Sequence, residues 1–334
     1  MDTPTHGLVG RLVARSVWPQ NRGFVNLVTV TSILPDVDVF FSGDALDSLQ
    51  THRGVTHSFF GAAIGAFVVA WAVRRFILKD VPFTKLYAVA LTGLLLHILF
   101  DMVTSYGTMV LMPFSRYRAL FDVLFVIDPY LDLILIVGLV LGWKVWRPNG
   151  YRLGLAALTA YMVFNVAVSG ITYLYLDRWA AERGLTPAAA VPVPFSPLHR
   201  RGIVSGEEEW YEVPVSLFSG VADSPNAYRS ALAEPRLEPL WERRDGRIYR
   251  WFARFPAVVE SGESGRVFVI HDLRFGIRPD ALGWLGSLAL QTALDHNPEF
   301  LSRRAFTLRV RLDERDRLKE VRYSGGAVDR DRRN

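Results

Sequence analysis

The first half of the chain consists of long apolar runs separated by short polar segments. Apolar runs cover residues 58–73, 86–100, 123–143 and 153–176. An α-helix rises about 1.5 Å per residue, so about 20 residues cross a hydrocarbon core of about 30 Å. We therefore predict four membrane-spanning helices. Residues 6–18 and 24–35 are helical in pattern but too short to cross, and we predict that they form a helical hairpin that dips into the bundle.

After residue 176 the pattern changes to alternating apolar and polar positions, which is typical of antiparallel strands. Such runs cover residues 210–218, 247–255, 266–275 and 306–323. The predicted fold class is a polytopic α-helical membrane bundle with a C-terminal antiparallel β-rich (α+β) soluble domain. The predicted boundaries are a membrane-embedded helical domain over 1–178, a proline-rich linker over 179–198, a soluble β-rich domain over 199–326 and a disordered tail over 327–334.

Composition divides the chain at the same point. Residues 1–176 carry 23 charged side chains and residues 177–334 carry 48, which indicates two different solvents. The chain has no cysteine, so disulfides, thiolate metal sites and cysteine nucleophiles are excluded. The formal net charge of +5 is small for this length, and the arginines of the second half alternate with acids. A nucleic-acid partner is therefore not indicated. Membrane lipids are the expected partners, and protein partners stay open.

Basic residues predict the orientation in the membrane. Arg74, Arg75, Lys79 and Lys85 lie in one loop, and Lys144, Arg147 and Arg152 lie in another loop on the same side. Positive loops face the cytoplasm, so the C-terminal domain is expected on the opposite side of a multi-pass cell-membrane protein. The start of the chain does not have the pattern of a signal peptide, and we expect the internal spans to direct insertion.

Histidines and aspartates gather at the ends of the apolar segments. His97 and Asp101 are one helical turn apart, and His52 and His57 flank a glycine in the segment HRGVTHS. The candidate metal ligands are His6, Asp36, Asp38, His52, His57, His97 and Asp101. Imidazole and carboxylate ligands without thiolates suit a divalent ion, and zinc is favoured over manganese. In isolation, each of these residues is more often a helix cap or an interfacial residue than a ligand.

Other polar residues near these ligands have two interpretations each. Arg53 either clamps a phosphate oxygen or is a positioning or topogenic charge. Thr104, Ser105 and Tyr106 either donate to substrate and orient Asp101 or form a turn. Thr56 and Asp128 are expected behind the ligands, although Asp122, Asp128 and Asp132 also suit helix packing. His199, His271 and His296 lie in the second half without metal-ligand spacing and are interpreted as structural.

At these residues the chain resembles the bacterial membrane-bound metal-dependent hydrolases (YdjM-like). The resemblance rests on THG at 5–7, LPDVDV at 34–39, HRGVTHS at 52–58, HILFDMVTSYGT at 97–108 and VIDP at 126–129. It implies a hydrolase whose ligands match His6, Asp36 or Asp38, His52, His57, His97 and Asp101. The ligand order is also loosely similar to that of zinc-dependent phospholipase C and P1-type nucleases, although the later His and Glu ligands of those enzymes have no counterpart here.

The preferred function is an integral membrane metal-dependent hydrolase that cleaves a phosphoester of a lipid or lipid-like substrate with metal-activated water. Asp101, Asp38 and Arg53 are the expected catalytic residues, with an aspartate as the proton acceptor. One alternative is a divalent metal transporter, because HxxxD in a membrane helix also suits transient metal binding. The other alternative is a non-catalytic membrane scaffold that uses the sheet domain.

Overall fold

The computed structural model describes residues 1–41, 43–262, 265–296 and 306–324. The chain divides into two compact units. The helical unit contains Met1–Phe41 and Thr51–Ala167, and the sheet unit contains Ser42–Gln50 and Val168–Asn334. The tail predicted over 327–334 lies outside the described residues.

Helices dominate the first half of the chain. They are α1 (Thr3–Val17), α2 (Arg22–Thr31), α3 (Ala45–Thr51), α4 (Phe59–Phe76), α5 (Phe83–Met102), α6 (Pro129–Val140) and α7 (Asn149–Ala181). Two short 3-10 helices, Leu34–Phe40 and Val55–His57, precede α3 and α4. Within the described part of the chain, four segments are long and apolar enough to cross a membrane: Arg22–Phe40, Phe59–Phe76, Phe83–Met102 and Asn149–Ala181. The predicted helical first half followed by a β domain is thus confirmed.

Three of these candidate spans contain or overlap the apolar runs 58–73, 86–100 and 153–176. The predicted span over 123–143 differs, because Asp128 caps α6 by accepting from the backbone N–H groups of Tyr130 and Leu131 at 3.0 and 3.1 Å. The α-helix therefore begins only at Pro129 and runs 12 residues before a π-helical turn over Leu141–Val145. In its place the structure has a candidate span over Arg22–Phe40, which was expected as a short hairpin helix.

Small residues allow the helices of this unit to approach closely. Ala62, Ala66 and Ala70 recur at four-residue spacing on α4 and are fully buried in the core shared with α5. On α5, a Cβ at Gly93 would overlap the Thr31 hydroxyl and would lie 2.6 Å from the Val28 carbonyl oxygen. Close contacts at small residues are typical of membrane helix packing. Gly93 therefore brings the end of α2 against α5 one turn before His97.

The second half forms an antiparallel sheet. Among the described residues its strands are β1 (Thr186–Val193), β2 (Ser196–Ser205), β3 (Glu209–Ser216), β4 (Gly220–Val221), β5 (Asn226–Ser230), β6 (Pro256–Ser261), β7 (Val267–Asp272), β8 (Thr307–Leu312) and β9 (Leu318–Ser324). Their order is β1-β2-β3-β5-β6-β7-β8-β9, and β4 pairs with β3. The strands predicted over 210–218, 266–275 and 306–323 are confirmed as β3, β7 and the β8-β9 hairpin.

One predicted strand is wrong. Residues 247–255 lie mostly in α9 (Arg244–Phe252), which follows the short helix α8 (Glu238–Glu242). Ile248, Tyr249 and Phe252 are buried on one face of α9, because residues three and four positions apart share a helix face, whereas Ile248 and Tyr249 would point to opposite faces of a strand. A further helix, α10, covers Trp284–His296.

The proline-rich segment is not wholly a linker, because residues 186–193 form β1. Prolines cannot donate a ladder hydrogen bond and are tolerated on edge strands and at bulges. β1 is an edge strand, and its register shifts next to Pro187 and Pro192. The predicted linker over 179–198 therefore contains the end of α7, a short turn and an edge strand.

The sheet unit has its own buried charges. Arg201 pairs with Glu212, and Arg274 pairs with Asp272 at 2.6 Å. Helix α3 belongs to this unit by packing, although it lies between Asp38 and His52 in sequence, and its Asp47 pairs with Arg244.

Candidate metal centre

Four residues from three segments of the helical unit converge on one point. Asp36 lies in the 3-10 helix Leu34–Phe40, His57 ends the 3-10 turn before α4, and His97 and Asp101 occupy the last turns of α5. One ligand atom from each of these residues lies within 4.8 Å of the other three. His57, His97 and Asp101 are fully buried, and Asp36 is half-buried.

The distances among these atoms match a tetrahedral metal site. His57 Nε2 and His97 Nε2 lie 3.3 and 3.4 Å from Asp101 Oδ2, and each lies 3.5 Å from Asp36 Oδ1. Metal–ligand bonds of about 2.0–2.1 Å in a regular tetrahedron separate the ligand atoms by about 3.3–3.4 Å. Four of the six edges are therefore close to the length that a tetrahedral ion requires.

Three of the four atoms also lack a hydrogen-bond partner. His57 Nε2, His97 Nε2 and Asp101 Oδ2 are buried and unpaired within the described part of the chain. A buried polar atom without a partner costs about 1–3 kcal/mol, and more when it is charged. A divalent cation satisfies all three atoms together, so the donor set fits a metal ion.

Each histidine of the group is fixed through its other ring nitrogen. His97 Nδ1 lies 2.7 Å from the Ser32 carbonyl oxygen, which the close approach at Gly93 brings to α5. A carbonyl only accepts, so Nδ1 carries the proton and donates, and Nε2 has its lone pair free for a metal ion. His57 Nδ1 lies 2.9 Å from the Thr56 hydroxyl and 3.2 Å from Asp38 Oδ2. Both imidazoles therefore present Nε2 to the same point.

Asp38 fixes the HRGVTHS segment through hydrogen bonds to three of its residues. Its Oδ2 accepts from the Arg53 backbone N–H and from the Thr56 hydroxyl, both at 3.0 Å. Its Oδ1 lies 2.8 Å from His52 Nδ1. Both oxygens are thus engaged with this segment, whereas the neighbouring Asp36 points one oxygen at the histidines and receives the Thr3 hydroxyl on the other at 2.6 Å. The sequence treats the two aspartates alike, and the structure gives them different neighbours.

Arg53 holds the opposite side of Asp101. Its Nη2 lies 2.8 Å from Asp101 Oδ1, and its Nη1 donates to Thr104 Oγ1 at 3.1 Å. The side chain is buried, and the backbone is in the left-handed region at φ 59°. A left-handed non-glycine residue is strained and is typical of functional turns. Arg53 orients Asp101 so that Oδ2 faces the histidines.

His6 and His52 lie beside the four-residue group. His6 Nε2 is 3.2 Å from Asp101 Oδ1, and its ring stacks on His97 with centroids 3.7 Å apart. The Met1 amino group contacts the same Asp101 oxygen. His52 packs edge-on against His57 at 5.7 Å and is 23% exposed, so it is the most accessible imidazole of the site.

The remaining predicted residues occupy the surroundings. Tyr106 lies under the Arg53 guanidinium at 4.7 Å and under the Arg118 guanidinium at 4.8 Å. Thr104 accepts from Arg53 and donates to the Asp101 carbonyl oxygen at 2.8 Å. Asp128 caps α6 and accepts from the Tyr161 hydroxyl at 2.8 Å. Thr104 and Tyr106 therefore contact the groups around Asp101, whereas Asp128 contacts residues of α6 and α7.

Three residues with clear roles were missed by the sequence reasoning. Ser32 supplies the carbonyl that fixes His97, Gly93 allows that contact, and Thr3 holds Asp36. Thr3 stands two residues before the THG segment and Ser32 two residues before LPDVDV, so proximity to the motifs was the available signal.

Comparison with known proteins adds one match. The model of a family described as YdjM inner membrane protein matches residues 1–172. This stretch is just over half of the 334 residues and includes every residue of the candidate metal centre. No curated protein and no solved structure matches the chain.

Proposed function

Because the chain belongs to the YdjM inner membrane protein family, we propose that it is an integral membrane metal-dependent hydrolase acting on a phosphoester of a lipid. The observation that carries the proposal is the tetrahedral spacing of Asp36, His57, His97 and Asp101 around three buried, unpaired ligand atoms. Two imidazoles and two carboxylates in this geometry favour zinc, since manganese prefers six oxygen-rich ligands.

Each residue of the site has a distinct role in this proposal. Asp36, His57, His97 and Asp101 hold the ion, which when bound supplies Lewis acidity and a water of lowered pKa. Asp38 and Ser32 fix the imidazole tautomers, and contacts of this kind are worth about 10- to 100-fold in metal affinity or activity. Arg53 keeps Asp101 in place and carries positive charge beside the site, where it attracts an anionic substrate.

We assign proton transfer to the pair of Asp38 and His52. Both Asp38 oxygens are engaged, and one of them holds His52 Nδ1 at 2.8 Å. His52 is partly exposed and lies next to His57. An imidazole fixed by a carboxylate at one nitrogen is a competent proton acceptor at the other. This assignment replaces the expected use of an aspartate as the direct acceptor.

A lipid phosphoester is proposed because of the site's location. His97 and Asp101 belong to the candidate span Phe83–Met102, and His57 lies two residues before the candidate span Phe59–Phe76. A substrate anchored in the bilayer reaches such a site sideways and presents its anionic group to the metal and to Arg53. We further propose that the sheet unit lies outside the cytoplasm, on the basis of the loop containing Arg74, Arg75, Lys79 and Lys85, and a C-terminal reporter fusion tests this orientation.

The test uses full-length protein purified in detergent. Phosphate and headgroup release are measured on phospholipid and isoprenoid phosphate substrates in mixed micelles, before and after chelation, and after addition of zinc or manganese. We expect hydrolysis to be lost on chelation and restored best by zinc. Metal flux in proteoliposomes without hydrolysis would instead support the transporter.

His52→Gln distinguishes a proton carrier from a ligand. We expect this variant to retain its metal, measured by elemental analysis, while kcat falls by about 100-fold or more, the scale of acid–base catalysis. Asp80→Ala, in an exposed loop position, is the matched control and is expected to behave as wild type. Loss of the metal in His52→Gln would return His52 to the ligand set.

A further inference from the structure

A loop beside the metal centre exposes an unusual number of aromatic rings. This aromatic loop, residues 109–121, is closed by reciprocal backbone hydrogen bonds of 2.9 Å between Thr108 and Ala119. Phe114, Tyr117 and Phe121 are 82, 68 and 56% exposed. Such exposure in a loop fixed by backbone hydrogen bonds calls for an apolar partner, because single exposed residues are common but adjacent ones are not.

Backbone contacts at both ends of the loop fix its depth in the membrane. Phe59, where the candidate span on α4 begins, donates its backbone N–H to the Val110 carbonyl oxygen at 3.0 Å. Phe121 donates to the carbonyl oxygen of Met102, where the candidate span on α5 ends, at 2.9 Å. The loop therefore lies at the membrane face where these two spans terminate.

The exposed rings continue the lipid-facing surface of α4. The Phe114 ring packs edge-on against the Phe60 ring at 5.7 Å, and Phe60 is the second residue of the candidate span. Phe60 is itself 46% exposed, as are Ile64 and Phe67 farther along the same helix at 50 and 55%. Phe114 thus stands at the level of the first turn of a membrane span, where aromatic side chains are enriched.

The charge of the loop selects the kind of lipid. Arg116 is exposed between Phe114 and Tyr117. Arg118 donates to the carbonyl oxygens of Tyr106 and Gly107 at 2.8 and 2.9 Å and thereby shapes the loop. The range 109–121 contains Arg116 and Arg118 and no acidic residue, so its net charge is positive. Basic side chains among interfacial aromatics attract anionic headgroups.

We propose that the aromatic loop is an interfacial anchor that inserts Phe114 and Tyr117 into the headgroup region of the bilayer and binds anionic lipid through Arg116. The loop is also tied to the metal centre, because Met109 donates its backbone N–H to the Arg53 carbonyl oxygen at 3.0 Å. The anchor therefore sets the depth of the metal centre below the headgroups. The proposal does not depend on hydrolysis.

Because the chain has no cysteine, a single introduced cysteine can be labelled specifically. Phe114→Cys and Tyr117→Cys are labelled with an environment-sensitive fluorophore in full-length protein reconstituted into nanodiscs. Phe218→Cys is the matched control, since Phe218 is equally exposed at 82% but belongs to the sheet unit. We expect blue-shifted emission at 114 and 117, with several-fold stronger quenching by shallow spin-labelled lipid than by aqueous iodide, and the reverse at 218.

The lipid preference is tested by composition and charge. Nanodiscs of phosphatidylcholine alone are compared with discs that contain phosphatidylglycerol, and we expect the anionic lipid to strengthen lipid quenching at position 114. Arg116→Gln should remove that increase. Iodide quenching at 114 equal to that at 218 would overturn the anchor, as would a label shielded from both quenchers, which would indicate coverage by protein. An unchanged response to anionic lipid in Arg116→Gln would overturn the role of Arg116.

Discussion

Among the described residues each unit buries one aspartate completely, and the two carboxylates differ in how their oxygens are paired. Asp272 of the sheet unit accepts from the backbone N–H groups of Arg254, Phe255 and Arg274 and from the Arg274 side chain, so both oxygens have donors. Asp101 of the helical unit receives Arg53 on Oδ1, while its Oδ2 has no hydrogen-bond donor among the described residues.

The difference separates a fully paired structural carboxylate from a carboxylate with an oxygen available to a metal ion. A buried ion pair whose oxygens all accept hydrogen bonds contributes to a unique packing arrangement and leaves no oxygen available to another group. An unpaired buried oxygen that faces two unpaired imidazole nitrogens costs free energy, and only a further partner removes that cost. Burial alone is equal in the two cases, so pairing and not burial distinguishes the candidate metal ligand Asp101 from Asp272.

The largest effect is expected for Asp101→Ala. Loss of this ligand should reduce hydrolysis to background and lower bound metal, while the fold persists because membrane helices are held mainly by packing. Activity, elemental analysis and thermal unfolding are compared for this variant, wild type and Asp80→Ala. Wild-type activity in Asp101→Ala would remove the catalytic interpretation.

Asp272→Asn should act on stability alone. Removing one partner of a buried ion pair costs about 3–5 kcal/mol, so the sheet unit should unfold at lower urea while metal content stays at the wild-type level. Asp223→Asn, at an exposed position, is the control. A metal loss comparable to that of Asp101→Ala would erase the distinction between the two aspartates.

The pH dependence of the sheet unit follows from the same pair. Burial raises the pKa of Asp272, but Arg274 outweighs burial and holds that pKa below its ordinary value. The carboxylate therefore contributes stability that is present above its unfolded pKa of about 3.9 and is lost as the pH falls through the lower folded pKa. We expect the free energy of unfolding of wild type, measured in urea, to fall as the pH decreases across this acidic window. The free energy of unfolding of Asp272→Asn should depend less on pH.

Asp38→Asn should give an intermediate effect on the metal centre. An amide still fills the space but fixes His57 and His52 less firmly, and we expect a loss of about 10- to 100-fold in metal affinity. Competition with a zinc-binding dye measures the affinity. An unchanged affinity together with reduced kcat would place Asp38 in proton transfer only.

Arg53→Lys is expected to show the smallest effect. Lysine keeps the charge but cannot bridge Asp101 and Thr104 with a planar fork. If Arg53 orients Asp101, kcat should fall several-fold at constant KM, whereas a residue that only binds the substrate phosphate would raise KM. Steady-state kinetics on the same lipid phosphate decides between the two roles.

The sequence reveals the local parts of this site. HxxxD places an imidazole and a carboxylate one helical turn apart, and HRGVTHS places two imidazoles in one short segment, so these parts of the candidate site were predictable, as were the helical and sheet halves. The difference between Asp36 and Asp38 was not, because the two lie two residues apart and only the tertiary fold gives one of them His97 and the other His52. For Ser32 only its position two residues before LPDVDV was a signal, since a backbone carbonyl carries no side-chain signal.

Helix α3 has a consequence for synthesis on the ribosome. It lies between Asp38 and His52, yet it packs with the sheet unit and pairs with Arg244, which is 197 residues later than Asp47. At about 5–20 residues per second, roughly 10–40 s pass before that partner is translated. The segment that joins two parts of the metal centre therefore acquires its final packing only after the spans have been made. A ribosome that stalls before residue 244 leaves the nascent chain with its histidines in the membrane and the connection between them unfinished.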